Sequence, residues 1–451
     1  MEDILKRQRT AFDTGFTLNH DTRRKALETL KALIKDNEQA IIDALREDLG
    51  KSAFEAYMTE VGYTLHSIDH TLKHLKGWMK KHRVKTPFYH GLTRSWMQPE
   101  PLGNVLVLAP FNYPFHLLIE PLVGALAAGN TVILKPSEQT PATERLLMKL
   151  FDTYFEGEHV TLVTGEKDVA ALLTSLPFDH IFFTGSTQVG KHVYEAAAKN
   201  LTPVTLELGG KSPTIVTASA DLRIAAKRIV FGKFINAGQT CIAPDYVYVE
   251  RSVKNAFMGE LMKALKAMYP TDATHLGKIV NRAHFERLEN LIDDNLVFNT
   301  YEKNKEKLRL TPVVMDEPDW TTPVMKEEIF GPILPVLTYG DLETLIGTLN
   351  EKPKPLALYL FTSSKAEERT VLRRVPSGSA AINDTITQVA NVHLPFGGVG
   401  QSGFGRYHGK YSFETFSHFK TVVKKSTRFD PPLIYPPYTS KKHSLVRRLF
   451  K

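Results

Sequence analysis

The sequence predicts an α/β protein built on doubly wound parallel sheets, and three observations carry that prediction. Short apolar runs at 105–109, 131–134, 160–163, 180–183 and 204–208 are continuous rather than alternating, as strands covered on both faces must be. Helix-length segments lie between them, which is the spacing of strand–helix–strand units. The pattern restarts after Gly209-Gly210, and a chain of 451 residues exceeds the size of one core, so two or more packed units are expected.

Taken in order, Leu27, Leu30, Leu33, Ile34, Ile41, Ile42 and Leu45 recur at three- and four-residue spacing, predicting amphipathic helix over 21–50. Asp21 or Thr22 is its cap and Gly50 its stop. A second helical stretch covers 53–81 and ends before Thr86-Pro87. Residues 89–98 read as a polar, aromatic hairpin and 416–423 as another extended segment. Either would pair at a sheet edge or across a subunit boundary. The strands named above follow, then strand 214–216, helix 221–236, strand 246–249, a long helix from about Val253, and strands at 333–336 and 357–361.

Composition narrows the class. With 42% hydrophobic and 24% charged residues the chain reads as an ordinary globular protein. Its one cysteine excludes an internal disulfide and multi-cysteine zinc frameworks and fits a reducing compartment, and no metal site is expected. No apolar run reaches the roughly 20 residues of a membrane helix, and the first residues lack the apolar segment of a secretory signal, so a cytoplasmic location is expected. The net charge of +8 is local rather than global. Part lies in Lys73, Lys76, Lys80, Lys81, Arg83 and Lys85, a solvated helix face, and part in a tail carrying Lys441, Lys442, Arg447, Arg448 and Lys451 with no acid. No nucleic-acid motif accompanies either stretch.

Several residues have the chemistry of a site, each beside a plainer reading. Cys241 stands in Gly-Gln-Thr-Cys-Ile-Ala-Pro, where a thiol can be free at a loop, although a lone cysteine is also a small buried hydrophobe. Glu207, before Gly209-Gly210 at a strand end, is a carboxylate among apolar neighbours whose pKa should rise toward that of a base; it is alternatively an edge residue paired with a lysine. Asn112 can offer its amide to a developing oxyanion, or Asn-Tyr-Pro can be an ordinary turn. After the strand at 180–184, Gly185-Ser-Thr-Gln-Val-Gly190 opens a helix whose first amides favour a phosphate. Its two glycines are five positions apart, unlike the usual dinucleotide fingerprint, so an ordinary strand-to-helix turn fits as well. Lys135 and Glu138 follow another strand, where they can hydrogen-bond ribose hydroxyls or form a charged, helix-capping loop.

Taken together, Pro110-Phe-Asn-Tyr-Pro114, Leu134-Lys-Pro-Ser-Glu138, Phe183-Thr-Gly-Ser-Thr187, Leu206-Glu-Leu-Gly-Gly-Lys211, Gly238-Gln-Thr-Cys241 and Glu327-Glu-Ile-Phe-Gly-Pro332 resemble, in order and spacing, the aldehyde dehydrogenase superfamily. The resemblance covers nearly the whole chain. Leu394-Pro-Phe-Gly-Gly-Val-Gly-Gln-Ser-Gly-Phe-Gly405 and Phe413-Glu-Thr-Phe-Ser-His418 are similar to the class 3 branch, whose members act on medium- and long-chain aliphatic and aromatic aldehydes.

The resemblance implies a Rossmann-like NAD-binding domain (1–82 and 101–208), an α/β catalytic domain (209–415), and a small β bridging element with the basic tail (83–100 and 416–451). It implies NAD(P)-dependent oxidation of an aldehyde to the acid, with NAD as cofactor and NADP also accepted. Cys241 would be the nucleophile, Asn112 and the Cys241 N–H would hold the oxyanion, and Glu207 would activate water to hydrolyse the thioester. Glu328 and Phe330 match the nicotinamide-ribose and nicotinamide positions, Lys135 and Glu138 the adenosine ribose, Gly185, Ser186 and Gly190 the phosphate turn, and Tyr113 the aldehyde entrance. Phe111 departs from the frequent tryptophan, from which altered cofactor packing and retained chemistry are expected. A vestigial dinucleotide-binding scaffold and an enzyme passing its acyl group to CoA or phosphate are the alternatives; Glu207 argues for water as acceptor. The resemblance also implies a homodimer. The basic, amphipathic tail would pack on the partner subunit or rest peripherally on an anionic membrane.

Overall fold

The computed structural model describes the chain except residues 91, 271–274, 429, 431 and 451. Its first six-stranded sheet is ordered Gly403–Phe404, Val204–Glu207, His180–Thr184, Asn104–Leu108, Thr131–Lys135 and Val160–Leu162. All neighbours are parallel except Gly403–Phe404, which runs antiparallel against Val204–Glu207. Strand order reverses on either side of Asn104–Leu108, the switch point beyond whose carboxyl end such sheets bind ligands. The predicted strands appear within a residue or two of their expected bounds, because continuous Val/Ile/Leu/Phe runs are stable only where both faces are covered. The covering on one side includes His116–Ala128, a helix buried along its whole length.

The second six-stranded sheet is entirely parallel, in the order Val313–Asp316, Ile333–Tyr339, Tyr246–Glu250, Pro213–Val216, Ala357–Phe361 and Ser379–Ile382. The chain passes from one sheet to the other through 208–212, so the carboxyl end of Val204–Glu207 faces the amino end of Pro213–Val216. A third sheet has three antiparallel strands, His82–Val84, Thr93–Pro101 and Ser417–Lys425. The two extended segments left without partners in the sequence therefore pair with each other, Trp96 opposite Val422.

The segment 209–415 does not stay with the second sheet. Gly403–Phe404 joins the first sheet, and Lys410–Thr415 packs on His116–Ala128 where Gly124 meets Ser412. Only glycine can make the first join: Gly403 has φ +118°, and a Cβ there would lie 1.9 Å from the Leu206 carbonyl oxygen.

Candidate active site

A cleft of about 740 Å³ opens where the two parallel sheets meet. Phe111, Asn112, Gly185, Ser186, Glu207, Cys241, Glu328 and Phe330 all line it. Strand ends explain the gathering: Asn112, Gly185 and Glu207 lie at carboxyl ends of the first sheet, and Cys241 lies on the turn leading into Tyr246–Glu250 of the second.

That turn is held in an unusual backbone shape. Asn236 and Ala237 both have φ +52° and Gly238 has φ +75°. Left-handed non-glycine residues cost roughly 1–2 kcal/mol each, so the turn needs compensating bonds. The Asn236 amide donates to Glu55 Oε1 at 2.9 Å, and Asn236 Nδ2 donates to the carbonyls of Asn112 at 2.8 Å and Gln239 at 3.1 Å. Gln239 donates to Lys278 O at 3.0 Å and accepts from the Val280 amide at 3.0 Å. Across the turn, Asn112 Nδ2 donates to Gln239 O at 3.0 Å, which directs the Asn112 side chain at the Cys241 loop.

Cys241 is half-buried, its thiol open to the cleft. Burial pushes the thiol up, Glu328 and Glu207 add to that, and the Cys241 and Ile242 amides oppose it. Glu207 is buried with neither carboxyl oxygen partnered, so the lysine pair of the plainer reading does not form. Burial alone raises it well above the ordinary carboxylate range.

Glu328 is raised to about 8, first by burial and then by Asp245, against the Gly210 amide, Lys211 and Arg287. Its carboxylate lies over Gly209, where a Cβ would approach an oxygen to 2.1 Å, so a larger residue there would displace the Glu328 carboxylate. Lys211 pairs with Asp245 and donates to the carbonyls of Val324 at 2.9 Å and Glu327 at 2.8 Å. Asp245 accepts from the Ile329 amide at 2.9 Å, and Arg287 donates to Ile329 O at 2.6 Å. Phe330, at φ +49°, meets Phe111 edge to face at 5.7 Å, and Phe111 contacts His284 at 5.1 Å.

Four of the expected residues stand off the cleft wall. Tyr113 points its hydroxyl at Thr240 Oγ1, 2.7 Å away, beside Cys241. Lys135 and Glu138 bond to each other at 2.6 Å beyond the carboxyl end of their strand. Gly190 is a packing glycine: a Cβ would press on Leu208 at 2.6 Å. Its neighbour Ser186 caps Thr187–Ala198, accepting from the Val189 amide at 3.4 Å.

The cleft fits a dinucleotide. Thr184 Oγ1 and both Glu207 oxygens are buried acceptors without partners, the first residues of Thr187–Ala198 line the wall, and Gly209 leaves room under Glu328. Among the described residues no cluster of three or more His, Cys, Asp or Glu is placed to hold a metal, and no helix is long and apolar enough to cross a membrane. The tail forms a helix, Ser440–Leu449, with no buried residue; Phe450 meets Tyr89 at 4.8 Å.

Sequence reasoning missed Lys51, Glu55, Glu60, Asn236, Asp245 and Arg287, whose contacts hold the site. Lys211 and Gln239 were quoted only as parts of motifs.

The pattern of the Aldehyde dehydrogenase family matches residues 1–422. The chain is 46% identical over 446 residues to 4,4'-diaponeurosporen-aldehyde dehydrogenase of Staphylococcus aureus, covering 98% of this chain and 97% of that one. It is 43% identical over 429 residues to the dimeric NADP-preferring aldehyde dehydrogenase of Rattus norvegicus, covering 94% and 95%. Among solved structures it is similar to a substrate-bound state of Staphylococcus aureus AldH, with TM-score 0.98, 44% identity and coverage of 100% and 99%. It is also similar to an indole-3-acetaldehyde dehydrogenase complexed with NAD+, with TM-score 0.85, 26% identity and coverage of 94% and 88%.

Proposed function

The chain belongs to the aldehyde dehydrogenase family and is an NAD(P)-dependent oxidoreductase of aldehydes, and from that premise we propose roles for the residues of its cleft. Cys241 is the nucleophile: its sulfur adds to the aldehyde carbon, and the oxygen becomes an oxyanion held by the Asn112 amide and the Cys241 N–H. Preorganised donors of that kind are worth about 3 kcal/mol each. Bound oxidised nicotinamide supplies the hydride acceptor. Glu207 then takes a proton from the water that attacks the thioester carbon, releasing the acid and the thiol. The observation that carries this reading is the meeting of Cys241, Asn112 and an unpartnered, buried Glu207 in one cleft.

On the cofactor, Glu328 holds the nicotinamide ribose and Phe330 packs beside its ring. Gly185, Ser186 and Gly190 shape the phosphate turn. Lys135 and Glu138, now paired with each other, reopen onto the adenosine ribose, and Tyr113 walls the aldehyde entrance. We divide the chain as a dinucleotide-binding unit of 1–82 and 101–208, a catalytic unit of 209–415 that lends 403–415 to the first, and a bridging unit of 83–100 and 416–451. The pairing of Gly403–Phe404 with Val204–Glu207 supports that loan.

The similarity to a 4,4'-diaponeurosporen-aldehyde dehydrogenase and to a dimeric relative supports a long-chain or aromatic aldehyde as substrate and a homodimer as assembly. The exposed Leu445 and Phe450 of the tail would pack on the partner subunit. Cosedimentation with anionic liposomes of intact and tail-deleted protein checks this: retention of only the intact chain would favour a membrane instead.

The direct test follows reduced nicotinamide by absorbance with NAD or NADP and aldehydes from benzaldehyde to hexadecanal, without CoA or phosphate. Turnover lost in Cys241→Ala supports the reading; turnover that requires CoA overturns the hydrolytic step.

A further inference from the structure

A buried ion pair stands behind the Asn112 loop, and its contacts say what it is for. Lys51 and Glu60 are bonded to each other and both fully buried. Such a pair is weak evidence for stability, since desolvation offsets the attraction. Its remaining bonds all go to one stretch of main chain. Lys51 Nζ donates to the Asn112 carbonyl at 3.1 Å and sits 4.0 Å over the Tyr113 ring. Glu60 Oε2 accepts from the amides of Phe115 at 2.9 Å and His116 at 3.1 Å, where the buried helix His116–Ala128 begins.

The local backbone is shaped to deliver Glu60 there. It lies in a π-helical turn, Tyr57–Val61, set between the α-helices Ala53–Ala56 and Gly62–Trp78, and such wide turns frequently occur at functional sites. From the other side, Asn236 Nδ2 donates to the same Asn112 carbonyl, and Asn112 Nδ2 reaches Gln239 O. The carbonyl of Asn112 is thus anchored by two elements while its side chain crosses to the Cys241 turn. Neither Lys51 nor Glu60 lines the cleft, so neither touches cofactor or the reacting atoms.

We propose that Lys51 and Glu60 are positioning residues for the oxidation, a charged clamp that fixes the main chain at 112–116 so that the Asn112 amide is aligned with Cys241 before the aldehyde arrives. The inference rests on the oxyanion role given to Asn112 above. A donor aimed in advance does not have to reorganise as charge develops, and a misplacement of about 1 Å can cost on the order of 100-fold in rate.

Lys51→Met/Glu60→Gln tests it by removing both charges at once, so that neither member of the pair is left without the other and one oxygen is still offered to the amides. With NAD(P) and the most rapidly oxidised aldehyde of the panel above, kcat is expected to fall about 10- to 100-fold. Dinucleotide affinity by fluorescence titration, and the rate at which iodoacetamide alkylates Cys241, are expected to stay within about twofold, because the clamp acts on Asn112 and not on the thiol or the cofactor wall. Adding Asn112→Ala should cost nothing beyond Asn112→Ala alone, since groups acting as one unit are not additive.

Undiminished kcat in the folded double variant, losses that multiply with Asn112→Ala, or a parallel fall in dinucleotide affinity each overturn the proposal. Should the double variant not fold, Glu60→Asp, which keeps the charge but draws the carboxylate back by one methylene, is read in the same cycle with the same criteria. Full turnover by Asn112→Ala alone would sink the oxyanion reading itself, which separates the two failures.

Discussion

The two sides of Cys241 are built in opposite ways. On the Asn112 side the groups that set the loop are bonded, Asn236 Oδ1 excepted: the Asn112 carbonyl to Lys51 and Asn236, the Asn112 amide to Gln239 O, and Gln239 to the backbone at Lys278 and Val280. On the Glu207 side buried acceptors are left open, with Thr184 Oγ1 and both Glu207 oxygens unpartnered. An unmet buried polar group costs roughly 1–3 kcal/mol, so the second side is a place where the fold gives up stability that a ligand or a water can restore. The first side holds geometry fixed, and the second waits for chemistry. Variants on each side should therefore fail in different ways.

The largest effect belongs to the residue between them. Cys241→Ala should lower aldehyde turnover by on the order of 10⁴-fold or more while dinucleotide binding persists. Binding is read by fluorescence titration and turnover by reduced nicotinamide. Residual turnover near the parent level would remove the nucleophile from the scheme and with it the comparison of its two sides.

Next comes the open side. Glu207→Gln should reduce steady-state turnover by about 10²–10⁴-fold, the range of a lost general base. Stopped flow should still show a first-turnover burst of reduced nicotinamide, because hydride leaves before water attacks. Loss of the burst would place Glu207 earlier, at deprotonation of the thiol that burial, with Glu328 and Glu207, holds protonated. The pH dependence has a definite sign. Burial raises Glu207, so its basic form grows with pH over a range above the ordinary carboxylate one, and thioester hydrolysis should accelerate with it in the parent but not in Glu207→Gln.

The closed side should fail more gently. Asn112→Ala removes one oxyanion donor, worth about 10²–10³ in kcat, and the burst itself should slow, since the oxyanion forms before hydride transfer. A variant with a fast burst and slow steady state would move Asn112 to the hydrolytic half of the cycle.

This asymmetry also explains what the sequence made legible. The strands were readable because continuous apolar runs such as Val105 to Leu108 have one stable environment, a sheet covered on both faces. The open side was readable in part as chemistry: Glu207 and Cys241 stand near glycines in short motifs where the backbone must approach a ligand, while Glu328 was legible only through the family resemblance. The closed side was mostly hidden. Glu60 looks like an exposed charge of an amphipathic helix, and only the π-helical turn brings it inward, a displacement that 3.6-residue periodicity does not announce, while Lys51 follows the Gly50 stop, where a charge reads as solvated. Asn236 resembles a helix end, while its left-handed backbone depends on Glu55, 181 positions away in the chain. The short strand Gly403–Phe404 was hidden for a related reason, since so brief a strand carries no period of its own and is defined by Leu206 across from it.

The smallest predicted effect concerns stability and sharpens the account of the open side. Glu328 titrates near 8 in the folded chain against an ordinary 4.5. Between those values the folded protein keeps a proton that the unfolded chain has lost, so this group's contribution is fully present below pH 4.5 and is lost as pH rises through 8. The slope is at most about 1.4 kcal/mol per pH unit for one group. Below about pH 6.5 the buried His116, His159, His180 and His408, all lowered by burial, work in the opposite direction, so the comparison is read above that range, where the melting temperature of the ligand-free enzyme should fall less steeply in Glu328→Gln than in the parent. The slope will not vanish, because buried Glu207, raised well above the carboxylate range, and Glu120, raised to about 7, have the same sign and remain in the variant. Saturating NAD should flatten the parent's slope as well, since ribose hydroxyls donating to Glu328 favour its charged form. Equal slopes in parent and variant would mean that Glu328 is already ionised and paired, leaving Glu207 as the only buried carboxyl of the cleft that waits for a partner.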